Sequence, residues 1–167
     1  IQHFGSTVGG FGSIVRYYPK EDVTVAVIGN LEDGGFGAEY IAKRVSDFYV
    51  PGSFAAGMKE SVDLRPNQTG SYLQALKDIS EKRMSNLVSV TYSGKISDDF
   101  RKQVNDDLRQ MRSFAFLGAE KITLDHFVLD PTLTEIYHYK MTLPGKTVFY
   151  HFRLDKEQKI GWIVRED

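Results

Sequence analysis

Cysteine is absent from all 167 residues. That removes disulfides and thiolate metal ligands while fitting any redox compartment. No apolar run approaches the roughly 18 residues of a membrane-spanning helix, so no membrane span is expected. An excess of one charge is missing too: 21 Lys and Arg stand against 22 Asp and Glu, a formal net charge of −1. Without a basic field there is no general hold on nucleic acid or an anionic membrane, and no nucleic-acid partner is expected. Clusters such as Glu81-Lys82-Arg83 are interrupted by acids and read as solvated helix faces. Internal repeats, low-complexity tracts, an initiator Met and a targeting segment are also lacking. The sequence opens on an apolar, glycine-punctuated stretch, "IQHFGSTVGGFGSIV", and we read it as the tail of something larger.

What is present divides into two patterns. Gln2–Val8 and Phe11–Tyr18 read as strands around a Gly9-Gly10 turn, and Pro19-Lys20-Glu21-Asp22 is turn chemistry. Val23–Ile28 is a continuous β-branched and apolar run, the pattern of a strand covered on both faces. After Asp33-Gly34-Gly35 a helix is predicted from about Gly37 to Tyr49. Ile41, Val45, Phe48 and Tyr49 would form its sheet-facing stripe, and Pro51-Gly52 its stop. Three antiparallel strands under one helix leave a sheet face bare, so residues 1–50 look like an incomplete domain. Residues 51–63 read as a linker, and 64–167 as a second, accessory α+β domain. Asn67-Gln68-Thr69 matches a glycosylation sequon, a pattern common by chance.

In the second domain a helix is predicted from Tyr72 to about Leu87, with Ser71 available as its cap and Leu73, Leu76, Ile79, Met84 and Leu87 as its stripe. Ser97 caps another helix, with Asp98 and Asp99 at its positive end and Phe100, Val104, Leu108 and Met111 on one face. Past Gly118 strands are predicted at Lys121–Leu129, Glu135–Thr142, Lys146–Leu154 and Lys159–Arg165, with turns at Pro144-Gly145 and Asp155–Gln158. The fold class is therefore α+β: an incomplete three-strand antiparallel sheet with one covering helix, then helices on a curved antiparallel sheet.

His3-Phe4-Gly5 followed by Val8-Gly9-Gly10-Phe11-Gly12-Ser13, a Pro turn, a Val-rich strand and Asn30 resembles the end of the class C beta-lactamase and penicillin-binding-protein-like serine hydrolases. The resemblance covers residues 1 to about 50. It implies that the His-x-Gly strand edges an active site, with the Ser6 N–H as an oxyanion donor. Gly5 would allow close approach of substrate, and His3 would stand in for the motif's cation or hydrogen-bond donor. It implies a bacterial parent, periplasmic or extracellular, that cleaves an ester, amide or lactam in a small-molecule substrate through a Ser acyl-enzyme, with no cofactor and no metal. The family's Ser-x-x-Lys pair is missing, since no Ser here has Lys three residues on, and no Tyr-x-Asn occurs. His3, Gly5 and Ser6 would thus be one wall of a site whose nucleophile lies upstream, and this chain alone is expected to be inactive. The second half, with "LRQMRSFAFLGAEKI" and "FYHFRLDKEQKIGWI", is similar to nuclear-transport-factor-2-like or cystatin-like accessory domains.

A symmetric Pro144-Gly145 hairpin would set His138 opposite His151, either a metal-ligand pair or two ordinary surface histidines. Ile136, Lys140, Phe149 and Arg153 would share their face, with no carboxylate. The opposite face, Tyr137, Tyr139, Met141, Val148, Tyr150 and Phe152, is either core or a Tyr-lined pocket. The expected partner is the missing N-terminal part of the parent or a second copy, meeting the N-terminal sheet. The alternative function is a non-enzymatic interaction or small-ligand-binding module. The second domain is expected to fold by itself with Trp162 buried, on one strand face with Ile160 and Val164.

Overall fold

The computed structural model describes residues 2–6, 11–30, 36–50, 58–63, 65–122 and 131–166. They form two compact units, Ile1–Lys59 and Glu60–Asp167. The class is α+β: a three-stranded antiparallel sheet with a helix, then a four-stranded antiparallel sheet with helices.

In the first unit β1 (Gln2–Ser6), β2 (Gly12–Tyr18) and β3 (Val23–Gly29) lie in that order, followed by α1 (Phe36–Tyr49). The β2–β3 turn places Asp22 at φ 52°, a left-handed conformation Asp tolerates, and its carboxylate accepts from the Tyr17 hydroxyl at 3.2 Å. Alternation sends Ile14 and Val25 against Ala38 and Ala42 of α1, with Phe4, Val23, Val27 and Val45 packed around them. The opposite sheet face carries Val15, Tyr17 and Ile28, all exposed, Ile28 at 82%. Within this unit, then, β3 is covered on one face and not on both.

The predicted helix stripe is also displaced. Ala38, Ala42 and Ser46 are buried, whereas Ile41, Phe48 and Tyr49 are exposed and only Val45 of the expected four packs on the core. Small residues let the helix approach the sheet closely. The buried Ser46 hydroxyl stays satisfied by donating to the Ala42 carbonyl at 2.7 Å. The predicted Gly9-Gly10 turn, Asp33-Gly34-Gly35 lead-in and Pro51-Gly52 stop lie outside the described residues.

The second unit is tied down from Glu60 onward: Glu60 pairs with Lys140, and the Ser61 N–H donates to the Phe116 carbonyl at 3.2 Å. Helix α2 (Pro66–Ser80) starts well before the predicted Tyr72, because Pro suits a first helical turn whose N–H groups are unpaired anyway. Ser71 is not its cap. It lies inside the helix and donates to the Asn67 carbonyl at 2.9 Å. The helix ends at Ser80, so Met84 falls beyond it and is exposed. The sequon lies in its first turns, where the Thr69 hydroxyl donates to Asp63 at 2.6 Å. A short helix, α3 (Val90–Ser93), follows. Helix α4 (Asp98–Gln110) has the predicted cap: Ser97 Oγ accepts from the Phe100 N–H at 3.2 Å, with Asp98 and Asp99 in the first turn.

The sheet runs β4 (Ser113–Lys121), β5 (Leu133–Leu143), β6 (Lys146–Asp155), β7 (Ile160–Glu166), in that order. Its first strand begins earlier than predicted, since Phe114 and Phe116 already alternate toward the core. Lys121 closes that strand rather than opening one, and 123–130 lie outside the described residues. The hairpin register is as predicted, Leu143 opposite Lys146 and His138 opposite His151, with Gly145 at φ 77° where its missing Cβ is needed.

Tyr137, Tyr139, Met141, Val148, Tyr150 and Phe152 are buried together with Tyr72, Leu76, Ile79 and Val104 of the helices. That face is core. Tyr72 stacks on Phe152 at 4.9 Å and meets Tyr137 and Tyr139 edge-on, while Phe114 stacks on Tyr139 at 4.7 Å. A register shift between Arg153 and Leu154 reverses side-chain parity on β7. Ile160 therefore enters the core beside Leu154, and Trp162 emerges opposite Arg153 on the outer face. Trp162 is 40% exposed rather than buried, its ring 5.3 Å from Tyr92. Among the described residues, no helix is long and apolar enough to cross a membrane.

Candidate functional site

Among the described residues β1 pairs with β2 alone and is an edge of its sheet, with His3 opposite Val15, Gly5 opposite Ser13 and Ser6 opposite Gly12. Phe4, between His3 and Gly5, packs on the α1-covered core. Strand alternation therefore sends His3 and Gly5 to the other face, the one α1 does not cover. His3 is exposed there. A Cβ on Gly5 would come within 2.9 Å of Ser13 Oγ, a crowding that rotation of Ser13 relieves. The three residues thus share an edge strand, two of them facing the open side. Ile28, beside Ser13 on β3, makes this an apolar surface with one imidazole at its rim.

The second unit holds a polar constellation that sequence reading located only in part. His138 and His151 are buried, 7% and 8% exposed, and are not surface histidines. Their Nδ1 atoms lie 2.7 Å apart. Carboxylates flank both rings, contrary to expectation: Glu120 Oε1 is 3.0 Å from His138 Nε2, and Glu166 Oε2 is 3.6 Å from His151 Nε2. The carboxylates were missed because β4 was assigned too late in the chain to place Glu120, and the bulge sets the face of Glu166. The Nδ1 contact is a hydrogen bond. Two imidazoles on one tetrahedral zinc, with Zn–N about 2.0–2.1 Å, would hold their nitrogens about 3.3 Å apart. Among the described residues no group of three or more His, Asp or Glu is placed to hold a metal ion.

A third cluster was not anticipated at all. Asp107 of α4 is buried and accepts from the Tyr150 hydroxyl at 2.6 Å and from Arg165 Nε and Nη2 at 2.7 and 3.2 Å. Burial, reinforced by the Asp107 carboxylate, pushes the Tyr150 phenol well above its ordinary range. The signal was there in the sequence: Asp107 is three residues after Val104, on the apolar face of its helix. An acid on such a face must be paired. Farther along the sheet, Arg65 donates to the Tyr137 hydroxyl at 3.0 Å, Gln68 to Tyr72 at 2.6 Å, and Thr69 meets Tyr139 at 3.1 Å. The core hydroxyls are spent on neighbours within the unit, which is the arrangement of a packed interior and not of a Tyr-lined ligand pocket.

No protein-family model matches this chain, and no curated protein matches it. Geometry and chemistry alone carry the functional reading.

Proposed function

We propose that the first unit is the C-terminal piece of a beta-lactamase-like, penicillin-binding-protein-like serine hydrolase domain, and the second an appended accessory domain. In this reading β1 is one wall of an acyl-transfer site. The substrate carbonyl lies along the strand, the Ser6 N–H donates to the developing oxyanion, and His3 donates to a substrate carboxylate or carbonyl. Gly5 keeps the strand low enough for that approach. The nucleophilic Ser and its Lys are supplied by residues outside these 167, since no Ser-x-x-Lys occurs among them.

One observation carries the reading. His3 and Gly5 share an edge strand and face away from the helix, on a sheet surface whose Val15, Tyr17 and Ile28 are exposed. A catalytic wall needs that side free for the opposing part of the site, and the apolar side chains there call for a covering layer. The covering layer is the remainder of the hydrolase domain. The test uses the reading frame extended upstream of Ile1. Its product should carry Ser-x-x-Lys, react covalently with a fluorescent penicillin or a fluorophosphonate, and acylate more slowly with His3→Ala. The 167-residue chain should react with neither. An upstream frame with no Ser-x-x-Lys, or labelling of the 167-residue chain itself, overturns the proposal.

A further inference from the structure

Among the described residues the four-stranded sheet ends on β4 and β7, and each of these strands meets a length of irregular chain. On β7 the cover is residues 87–89. The Ile160 N–H donates to the Leu87 carbonyl at 2.6 Å, and the Ser89 N–H donates to the Ile160 carbonyl at 2.9 Å. On β4 the cover is residues 60–63, part of the stretch that reads as a linker in the sequence.

That stretch is fastened to the edge strand, to the strand beyond it and to a helix. The Ser61 N–H donates to the Phe116 carbonyl of β4 at 3.2 Å. Glu60 pairs with Lys140 of β5, whose register partner on β4 is Ala115, so it reaches over the edge strand at a small side chain. Asp63 accepts from the Arg65 N–H at 2.8 Å and from the Thr69 hydroxyl at 2.6 Å, which anchors the stretch to the start of α2.

The strand underneath has little protection of its own. Residues 113–119, SFAFLGA, contain neither a charge nor a proline, the side chains that keep an outer strand from pairing with another chain. The bulge between Phe116 and Gly118 interrupts the second half of β4, which leaves the half with Phe114 and Phe116 to its cover. A residue's N–H and C=O leave a strand on the same side. The Phe116 carbonyl given to Ser61 therefore places the backbone of Phe116, and by alternation that of Phe114, on the outer edge.

We propose that residues 60–63 are a strap guarding this edge, and that its release lets the β4 edges of two copies pair antiparallel across a two-fold axis. A second copy suits the edge because an antiparallel β4 pair sets uncharged residues against uncharged residues, with no like charges opposed. Strap and second copy compete for the Phe116 backbone, so one excludes the other. The β7 cover lies inside the unit, between α2 and α3, whereas the strap is the unit's first stretch and can lift without unwinding a helix.

Sedimentation and amide hydrogen exchange on the full chain test this, with Ile28→Thr in every sample to reduce association through the first sheet. With the strap intact, the Ser61 amide should exchange about tenfold or more slower than in an unfolded chain. Ser61→Pro deletes the donor to Phe116 and Asp63→Ala deletes the anchor on α2. Together they should raise the self-association constant about tenfold. The Phe114 and Phe116 amides should then gain protection as protein concentration rises, while the amides of β7 should not. Should the double variant fail to fold, Asp63→Ala alone decides, with a smaller shift in the same direction. A Ser61 amide that exchanges at the unfolded rate, association without protection on β4, or no rise in association overturns the proposal.

Discussion

The sheet of residues 2–29 and the sheet of residues 113–166 are built on the same alternation, yet they end in different states. The first sheet lies under one helix that approaches on Ala38, Ala42 and Ser46, while Ile28 and Phe48 stand 82% and 85% exposed. The second buries Tyr72, Tyr139, Tyr150 and Phe152 between its helices and strands, and supplies partners for their hydroxyls. Period-two patterning is enough to form a sheet. Whether the sheet becomes a closed domain depends on how many layers the chain brings to it.

The largest test of that contrast is Asp107. Asp107→Ala removes the acceptor of the Tyr150 hydroxyl and a buried ion-pair partner of Arg165, and removal of one member of a buried ion pair costs about 3–5 kcal/mol. Urea unfolding followed by Trp162 fluorescence should show the loss. The combined Asp107→Leu, Arg165→Met and Tyr150→Phe chain should lose far less, because no orphan charge remains. The first unit's only buried hydroxyl among the described residues, Ser46, bonds to its own helix, and Ser46→Ala should be nearly silent. Equal losses in the two units would break the comparison.

Alkaline pH gives a graded version. Burial pushes the phenols of Tyr92 and Tyr139 up from 10.0 to about 12. Burial pushes Tyr72 and Tyr150 up further still. A raised folded pKa means the native state keeps protons that the unfolded chain releases. The associated stability is complete below about 10 and is lost as pH climbs through about 12. The urea midpoint of the second unit should fall across that window. A midpoint constant to pH 12 would contradict the buried-phenol core.

The same contrast explains what the sequence made legible. Strand periods, the Pro144-Gly145 turn and the His138–His151 register followed from local chemistry, because a tight hairpin leaves one pairing. The sheet-facing side of α1 was misjudged because hydrophobicity was ranked above size. Ala38 and Ala42 pack where larger Ile41 does not. Trp162 was misplaced by the bulge at Arg153/Leu154, whose extra residue is Gly161, so the side chains beyond it change faces; the strand glycine was the mark that went unread. For the same reason the row Glu120–His138–His151–Glu166 was half visible: its outer members depend on strand registers that sequence alone did not set. Of the wall residues, the facing of His3 and Gly5 follows from Phe4 being apolar between them.

Helix caps sharpen the comparison at the scale of single hydrogen bonds. Ser97→Ala removes the acceptor of the Phe100 N–H and should cost the second unit about 1 kcal/mol, read as a shift in its urea midpoint. Ser71→Ala, inside α2 and bonded to the Asn67 carbonyl of its own helix, should cost nothing and gain up to a few tenths, because Ala is the better residue in a helix interior. A loss at Ser71 matching that at Ser97 would mean α2 begins where the sequence pattern first suggests, near Tyr72, and not at Pro66.

The smallest expected stability change tests the open face directly. Ile28→Thr keeps a β-branched side chain on β3 and adds a hydroxyl that solvent can satisfy, so its cost to the first unit should stay within about 0.5 kcal/mol. The matched change in the other sheet, Ile163→Thr, buries that hydroxyl beside Tyr92 and the core and should cost at least about 2 kcal/mol. Ile28→Thr should have a second effect that Ile163→Thr lacks: less binding of an apolar dye and less self-association at high concentration, because it removes the most exposed aliphatic side chain of the face shared by Val15 and Tyr17. Sedimentation and dye fluorescence read this on the full chain. If Ile28→Thr instead destabilises as strongly as Ile163→Thr, the outer face of the first sheet is already packed, and the difference between the two sheets is not one of burial.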